Sequence, residues 1–251
     1  MFEDRAQFVR VHDLLEIDPA GIAGSAPAWV AQELAGCPFV VVRRGLPERD
    51  SIPVGVRGQR REDRWPAFCD LGSVTRIWTP AQLLEVPISQ ARVAAIPAMQ
   101  TLRLLKARWA GLKLPWGPGG SVGFELATER QTATAESDLD VIVHAHERLS
   151  RHEALDLCER AADLTTVVDI RVETPACGFS LKEYASAGGG RILLRNAEGN
   201  FLGDDPWAVA MLSCLDGRTA APSTAPLAVK LREARLRMTN SSAGRTGVET
   251  R

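Results

Sequence analysis

Two aspartates, Asp138 and Asp140, flank Leu139 at the head of an apolar run that continues through Val141, Ile142 and Val143. The β-branched centre of that run predicts a strand over 137–145. Side chains alternate across a strand, so both carboxylates leave from one face and repel each other. Either open water or a cation has to offset that repulsion. Hard oxygen ligands at this spacing suit Mg²⁺ or Mn²⁺. Ser137-Asp138 is also ordinary turn chemistry, so the pair alone leaves a solvated turn and a metal site both open.

The surrounding segments alternate helix and strand. Met99, Leu102, Leu105 and Trp109 share one face of a predicted helix over 98–112. A glycine-rich turn is expected over 116–121. After the aspartate strand, 149–164 reads as an amphipathic helix with Ser150 as N-cap and Glu153 completing a capping box. A strand over 165–173, a short helix over 179–188 and a strand over 191–196 follow. Upstream, 38–44 and 51–58 read as strands, and 26–36 as a helix with Pro27 near its start and Gly36 at its end. This order predicts an α/β (α+β) fold with helices on a mixed sheet. Pro87 and Pro97 suggest a boundary. The expected division is an N-terminal α/β domain over 1–90, a catalytic domain over 91–216 and a basic tail over 217–251.

Charge narrows the function classes. The 251 residues carry 30 Lys+Arg, 26 of them Arg, against 31 Asp+Glu, for a net charge of −1. That balance argues against binding nucleic acid or a membrane surface by bulk charge. The total hides unlike parts: 12 basic and 17 acidic residues over 101–216, then 7 and 2 over 217–251. No apolar run approaches the ~18 residues of a membrane span, and the first residues lack signal-peptide character. Five cysteines are dispersed without a CxxC pair. Reduced thiols in a cytoplasmic protein are the expectation.

Other residues bear on the aspartate pair. Asp169, Arg171 and Glu173 alternate with Ile170 and Val172, so they share a polar strand face. Asp169 is either a third metal carboxylate or part of the solvent face of an edge strand. Gly119-Gly120-Ser121 offers backbone N–H groups and a hydroxyl to a phosphate, or is a plain turn. The P-loop pattern is absent. Arg57, Arg60, Arg61 and Arg64 cluster behind Arg43 and Arg44. They form a solvated loop or a clamp for phosphates or an acidic partner. Arg57, between glycines, is the first choice. His144 and His146 are read as polar positions at a strand end, His12 as a hydrogen-bonding group at a helix entry, and Trp116 and Trp207 as packing residues.

A Gly-Ser turn, an Asp-x-Asp strand and a third acid on a later strand resemble the nucleotidyltransferase superfamily of the DNA polymerase β type. Sixteen residues separate Ser121 from Asp138, more than is usual there. The longer string WGPGGSVGFELATERQTATAESDLDVIV (116–143) is similar to a narrower family, the malonate decarboxylase holo-[acyl-carrier-protein] synthases, or phosphoribosyl-dephospho-CoA transferases. VHDLL (11–15), PFVVVRR (38–44), PVGVRGQRR (53–61), VDIRVETPACGFSLKEY (169–184) and DDPW (204–207) resemble the same family. Where its pattern continues with Gly after FELAT, this chain has Glu129.

The resemblance implies a nucleotidyltransferase-like catalytic domain and a Mg²⁺- or Mn²⁺-dependent enzyme. It would move a prosthetic group from triphosphoribosyl-dephospho-CoA to a serine of the acyl-carrier subunit of malonate decarboxylase, releasing pyrophosphate. Asp138 and Asp140 match the family's acid pair, with Asp169 as the third acid. Gly120 and Ser121 would cradle phosphates, and Arg57, Arg60 and Arg61 would meet the donor. Two alternatives remain: a nucleotidyltransferase using ATP or CTP on another hydroxyl, and a catalytically silent binding module.

Overall fold

The computed structural model describes residues 9–46, 51–60 and 62–209. Arg61 and the basic tail over 217–251 lie outside the described residues. The chain divides into two compact units between Ile77 and Trp78.

The first unit holds β1 (Leu14–Ile17), β2 (Ile22–Ala23), α1 (Ala28–Gly36), β3 (Phe39–Val42), β4 (Ser51–Arg57), β5 (Arg64–Asp70) and β6 (Val74–Trp78). The strands form one sheet in the order β2-β5-β4-β3-β1-β6. Leu15 stands opposite Val40, Val40 opposite Val56 and Val56 opposite Trp65. These positions put Leu15, Val40, Val42, Val54, Val56 and Ala67 into one core with Val30 and Leu34 of α1. Burying each such branched side chain contributes about 1.5–3 kcal/mol relative to exposure. No helix follows His12. Its φ is +76° in a turn, and its N–H donates to the Val42 carbonyl before β1 begins.

Asp13 is the exception in this core. Its carboxylate has no exposed surface. Oδ2 accepts from the Arg10 N–H at 2.8 Å, while Oδ1 is buried without a hydrogen-bond partner. Burial pushes its pKa up to about 7, against the lowering effect of the Arg10 N–H and charge. The native state therefore keeps this proton to higher pH than the unfolded chain does. Stability is greatest below the unfolded value near 4 and falls as pH rises toward 7. The shift of about three units corresponds to about 4 kcal/mol. Urea midpoints measured from pH 4 to 8 should fall with this slope in the wild type, and Asp13→Asn should flatten it. Identical slopes in the two proteins would remove Asp13 as the cause.

The second unit holds α2 (Pro80–Leu83), α3 (Gln90–Ala95), α4 (Pro97–Arg108), β7 (Trp116–Pro118), α5 (Gly120–Thr128), β8 (Leu139–His144), α6 (Arg151–Ala161), β9 (Val168–Glu173), β10 (Gly178–Ser180), α7 (Leu181–Ser186), β11 (Ile192–Arg195) and β12 (Asn200–Gly203). Its sheet runs β12-β11-β10-β9-β8-β7. Only β8 and β9 pair in parallel, so the sheet is mixed. Pro97 opens α4, whose buried side includes Met99, Leu102 and Leu105. Trp109 caps that helix and meets Trp116 edge-on at 4.7 Å, so both rings are core. The predicted capping box forms at α6: Ser150 Oγ accepts from the Glu153 N–H, and Glu153 Oε2 accepts from the Ser150 N–H.

Three local expectations change. The segment 78–90, expected in the N-terminal domain, belongs to the second unit, where α2 packs on β7 and α5. Pro97 opens α4 within this unit, and Pro87 lies in the connection between α2 and α3. The glycine-rich stretch over 116–121 is no simple turn, since 116–118 joins the sheet and 120–121 starts α5. Finally, β9 lies between β8 and β10, so Asp169 is on an interior strand. Among the described residues no helix is long and apolar enough to cross a membrane, and no cysteine is in a disulfide.

Candidate active site

The parallel register of β8 and β9 sets Asp140 directly opposite Asp169. Neighbouring strands are ~4.8 Å apart, so the two carboxylates leave the same face side by side. Asp138 falls just ahead of β8 and is exposed, while Asp140 and Asp169 are half-buried. Farther along this face, Ile142 stands opposite Arg171 and His144 opposite Glu173. His144 and Glu173 are buried, so the face closes away from the aspartates. His146 is exposed beyond the strand end.

Arg171 reaches back along β9 to Asp169. Its Nη2 and Nε donate to Oδ2 at 2.9 and 3.2 Å. The guanidinium offsets part of the repulsion between Asp140 and Asp169. Among the described residues no group of three or more His, Cys, Asp or Glu side chains is gathered to hold a metal ion. As donors, Asp138 and Asp140 fit a hard divalent ion: they are carboxylates, close in sequence, at the open end of the face. Asp169 is engaged by Arg171 and would have to share itself.

The N-terminus of α5 abuts Asp140. The Gly119 N–H donates to the Asp140 carbonyl at 2.9 Å. Gly120 has φ +55°, and a Cβ there would lie 1.8 Å from Asp140 Oδ2. Glycine is the residue that lets the helix start against the carboxylate. The first-turn N–H groups of Gly120, Ser121 and Val122 have no acceptor within the helix. They and the helix dipole make this end attractive to anions. α5 ends on Glu129 with φ +61°, the left-handed cap that glycine adopts more readily.

Sequence reasoning missed Glu125 and Arg92. Glu125, on α5, is buried. Its Oε1 accepts from Arg92 Nε at 2.7 Å, and its Oε2 accepts from Arg92 Nη2 at 2.9 Å. The same Oε2 accepts from the Thr132 and Ala133 N–H groups, each at 2.9 Å. Arg92 Nη2 also donates to the Ala133 carbonyl. The available signal was a lone charge between Phe124 and Leu126 on an apolar helix.

The arginine cluster lies in the first unit. Arg57 ends β4 directly opposite Arg64, and Arg60 is exposed in the following hairpin loop. In the second unit, DDPW closes the chain onto the sheet. Asp205 pairs with Arg148, Trp207 Nε1 donates to the Ala145 carbonyl, and the Trp207 ring packs on Phe179 and Tyr184.

Comparison with known proteins covers both units. A family model described as the phosphoribosyl-dephospho-CoA transferase MdcG N-terminal domain matches residues 10–80, and its C-terminal counterpart matches 83–206. A protein of Pseudomonas aeruginosa named phosphoribosyl-dephospho-CoA transferase is 37% identical over 201 residues, 79% of this chain and 94% of that protein. One of the same name from Pseudomonas fluorescens is 38% identical over 197 residues, 78% and 92% of the two chains. Another, from Klebsiella pneumoniae, is 36% identical over 203 residues, 79% and 96%. No solved structure matches the chain.

Proposed function

The chain belongs to the phosphoribosyl-dephospho-CoA transferase family, and on that premise we propose that it loads the acyl-carrier subunit of malonate decarboxylase. The donor is 2′-(5″-triphosphoribosyl)-3′-dephospho-CoA. The serine oxygen of the apo carrier attacks the phosphorus next to the ribose. The bond to the outer two phosphates breaks, leaving a phosphodiester on the carrier and free pyrophosphate. The reaction is then of the nucleotidyltransferase class.

The observation that carries this reading is the meeting of Asp140, Asp169 and the N-terminus of α5. Phosphoryl transfer asks a protein chiefly for position and charge stabilisation. Ser121 Oγ and the first-turn N–H groups would orient the outer phosphates. In this scheme the Asp169 carboxylate, held by Arg171, would take the serine proton. Asp138 and Asp140, with Asp169 as a third candidate, would hold Mg²⁺ or Mn²⁺, which neutralises phosphate charge when bound. Arg57 and Arg60, with Arg61, are assigned to the donor phosphates or the carrier surface. Neither nucleic acid nor membrane is a partner in this scheme, and the setting is the cytoplasm.

The test is direct. The full chain, Mg²⁺, the triphosphoribosyl donor and the apo carrier should yield a carrier heavier by one phosphoribosyl-dephospho-CoA group in intact-mass spectra. An unmodified carrier would overturn the proposal. Pyrophosphate release from ATP or CTP without the dephospho-CoA donor would favour the other nucleotidyltransferase reading.

A further inference from the structure

Asp140 is fixed by the sheet ladder, but Asp138 is not. Ten residues, 129–138, join α5 to β8, and Asp138 is the last of them. A loop of that length would let Asp138 wander relative to Ser121, unless something holds it.

We propose that Glu125, Arg92 and Thr132 form a positioning device for the transfer reaction, setting the spacing between Ser121 and Asp138. The inference rests on the proposed function and deepens it. Glu125 lies one helical turn beyond Ser121, on the same side of α5. Its Oε2 takes the N–H groups of Thr132 and Ala133, both at 2.9 Å. Thr132 Oγ1 then donates to the Ser121 carbonyl at 2.8 Å. The loop is thus pinned to α5 at two heights. From there a tight turn leads to the aspartate: the Thr134 N–H donates to Ser137 Oγ at 2.9 Å, and the Ser137 N–H donates to the Thr134 carbonyl at 3.1 Å.

The chemistry of the pin favours geometry over packing. A buried ion pair adds little stability beyond what an apolar plug of similar volume supplies. Val122, Phe124 and Leu126 already give α5 apolar buried side chains. What a carboxylate adds is direction. Two oxygens receive four N–H groups, two of them from the loop backbone, and Arg92 Nη2 bridges to the Ala133 carbonyl. Such a network tolerates one placement of residues 132–133. The consequence falls on Asp138 and on the phosphate-binding end of α5 together.

Three variants of the full chain test this, with Mn²⁺ binding read by electron paramagnetic resonance beside transfer kinetics and melting. Thr132→Val keeps the shape and deletes the hydroxyl bond to Ser121. It should weaken Mn²⁺ binding and lower kcat about tenfold, the effect typical of a supporting contact. Thr132→Ser should restore both. Glu125→Gln should lower kcat by up to about a hundredfold. If Glu125→Gln does not fold, the Thr132 pair still decides. Wild-type Mn²⁺ affinity and kcat in Thr132→Val would overturn the inference, whatever its melting temperature. A wild type that neither binds Mn²⁺ nor transfers would instead sink the transferase reading, and this inference with it.

Discussion

On the proposed scheme Asp140→Asn should reduce transfer to the carrier by about a thousandfold or more while the protein stays folded, since an amide would not replace the carboxylate that this scheme assigns to the metal ion. The backbone bond from Gly119 to the Asp140 carbonyl does not involve the side chain and survives the change. The pairing of β8 with β9 survives as well. Removing one negative charge opposite Asp169 relieves repulsion, so the melting temperature should hold or rise. Asp138→Asn should act in the same direction. Carrier mass spectra over a time course, with thermal melts on the same samples, read both quantities. Full activity in Asp140→Asn would end the metal argument.

Gly120→Ala should cost both activity and stability, and the two costs have separate sources. At φ +55° an alanine pays roughly 1 kcal/mol for the left-handed conformation. Its Cβ would also stand 1.8 Å from Asp140 Oδ2 and 2.7 Å from Cγ. The carboxylate must swing away or the first turn of α5 must open. Either movement separates the end of the helix proposed to bind phosphate from the acid. Transfer should fall by about a hundredfold, in line with misplacing a reacting group by about an ångström. Gly189→Ala is the control. Gly189 has φ +95° but open space around its Cβ position, so the variant should lose stability alone. Equal activity losses in the two variants would show that backbone strain, and not the contact with Asp140, is responsible.

Local pattern carried much of the fold. The apolar runs over 38–44 and 51–58 became β3 and β4, and the periodic segment over 98–112 became α4. The capping box at Ser150 formed because its partners are three residues apart. Short pieces such as β1, β10 and β12 were not legible. Their strand state comes from pairing with Val40–Val41, Val172 and Leu194, and their own residues carry no period. Glycines dominate the start of α5 locally and predict a turn, whereas Val122, Phe124 and Leu126 find buried places only in the assembled unit.

The site divides in the same way. That Asp140 lies at the head of an apolar strand, with Asp138 two residues before it, could be read directly, since strand alternation is a property of the backbone. The family resemblance named the same acids and the Gly-Ser pair. Tertiary structure alone decided that Asp169 stands opposite Asp140, because register between parallel strands is set by packing across a long connection. It also decided that Gly120 touches Asp140, and that Glu125 meets Arg92 across 33 residues of sequence. The unpartnered oxygen of Asp13 belongs here too. Sequence settles what a few neighbouring residues can do with their own backbone. Register, burial and the company of charges depend on residues far apart in the chain, and they take their values only once the core has closed.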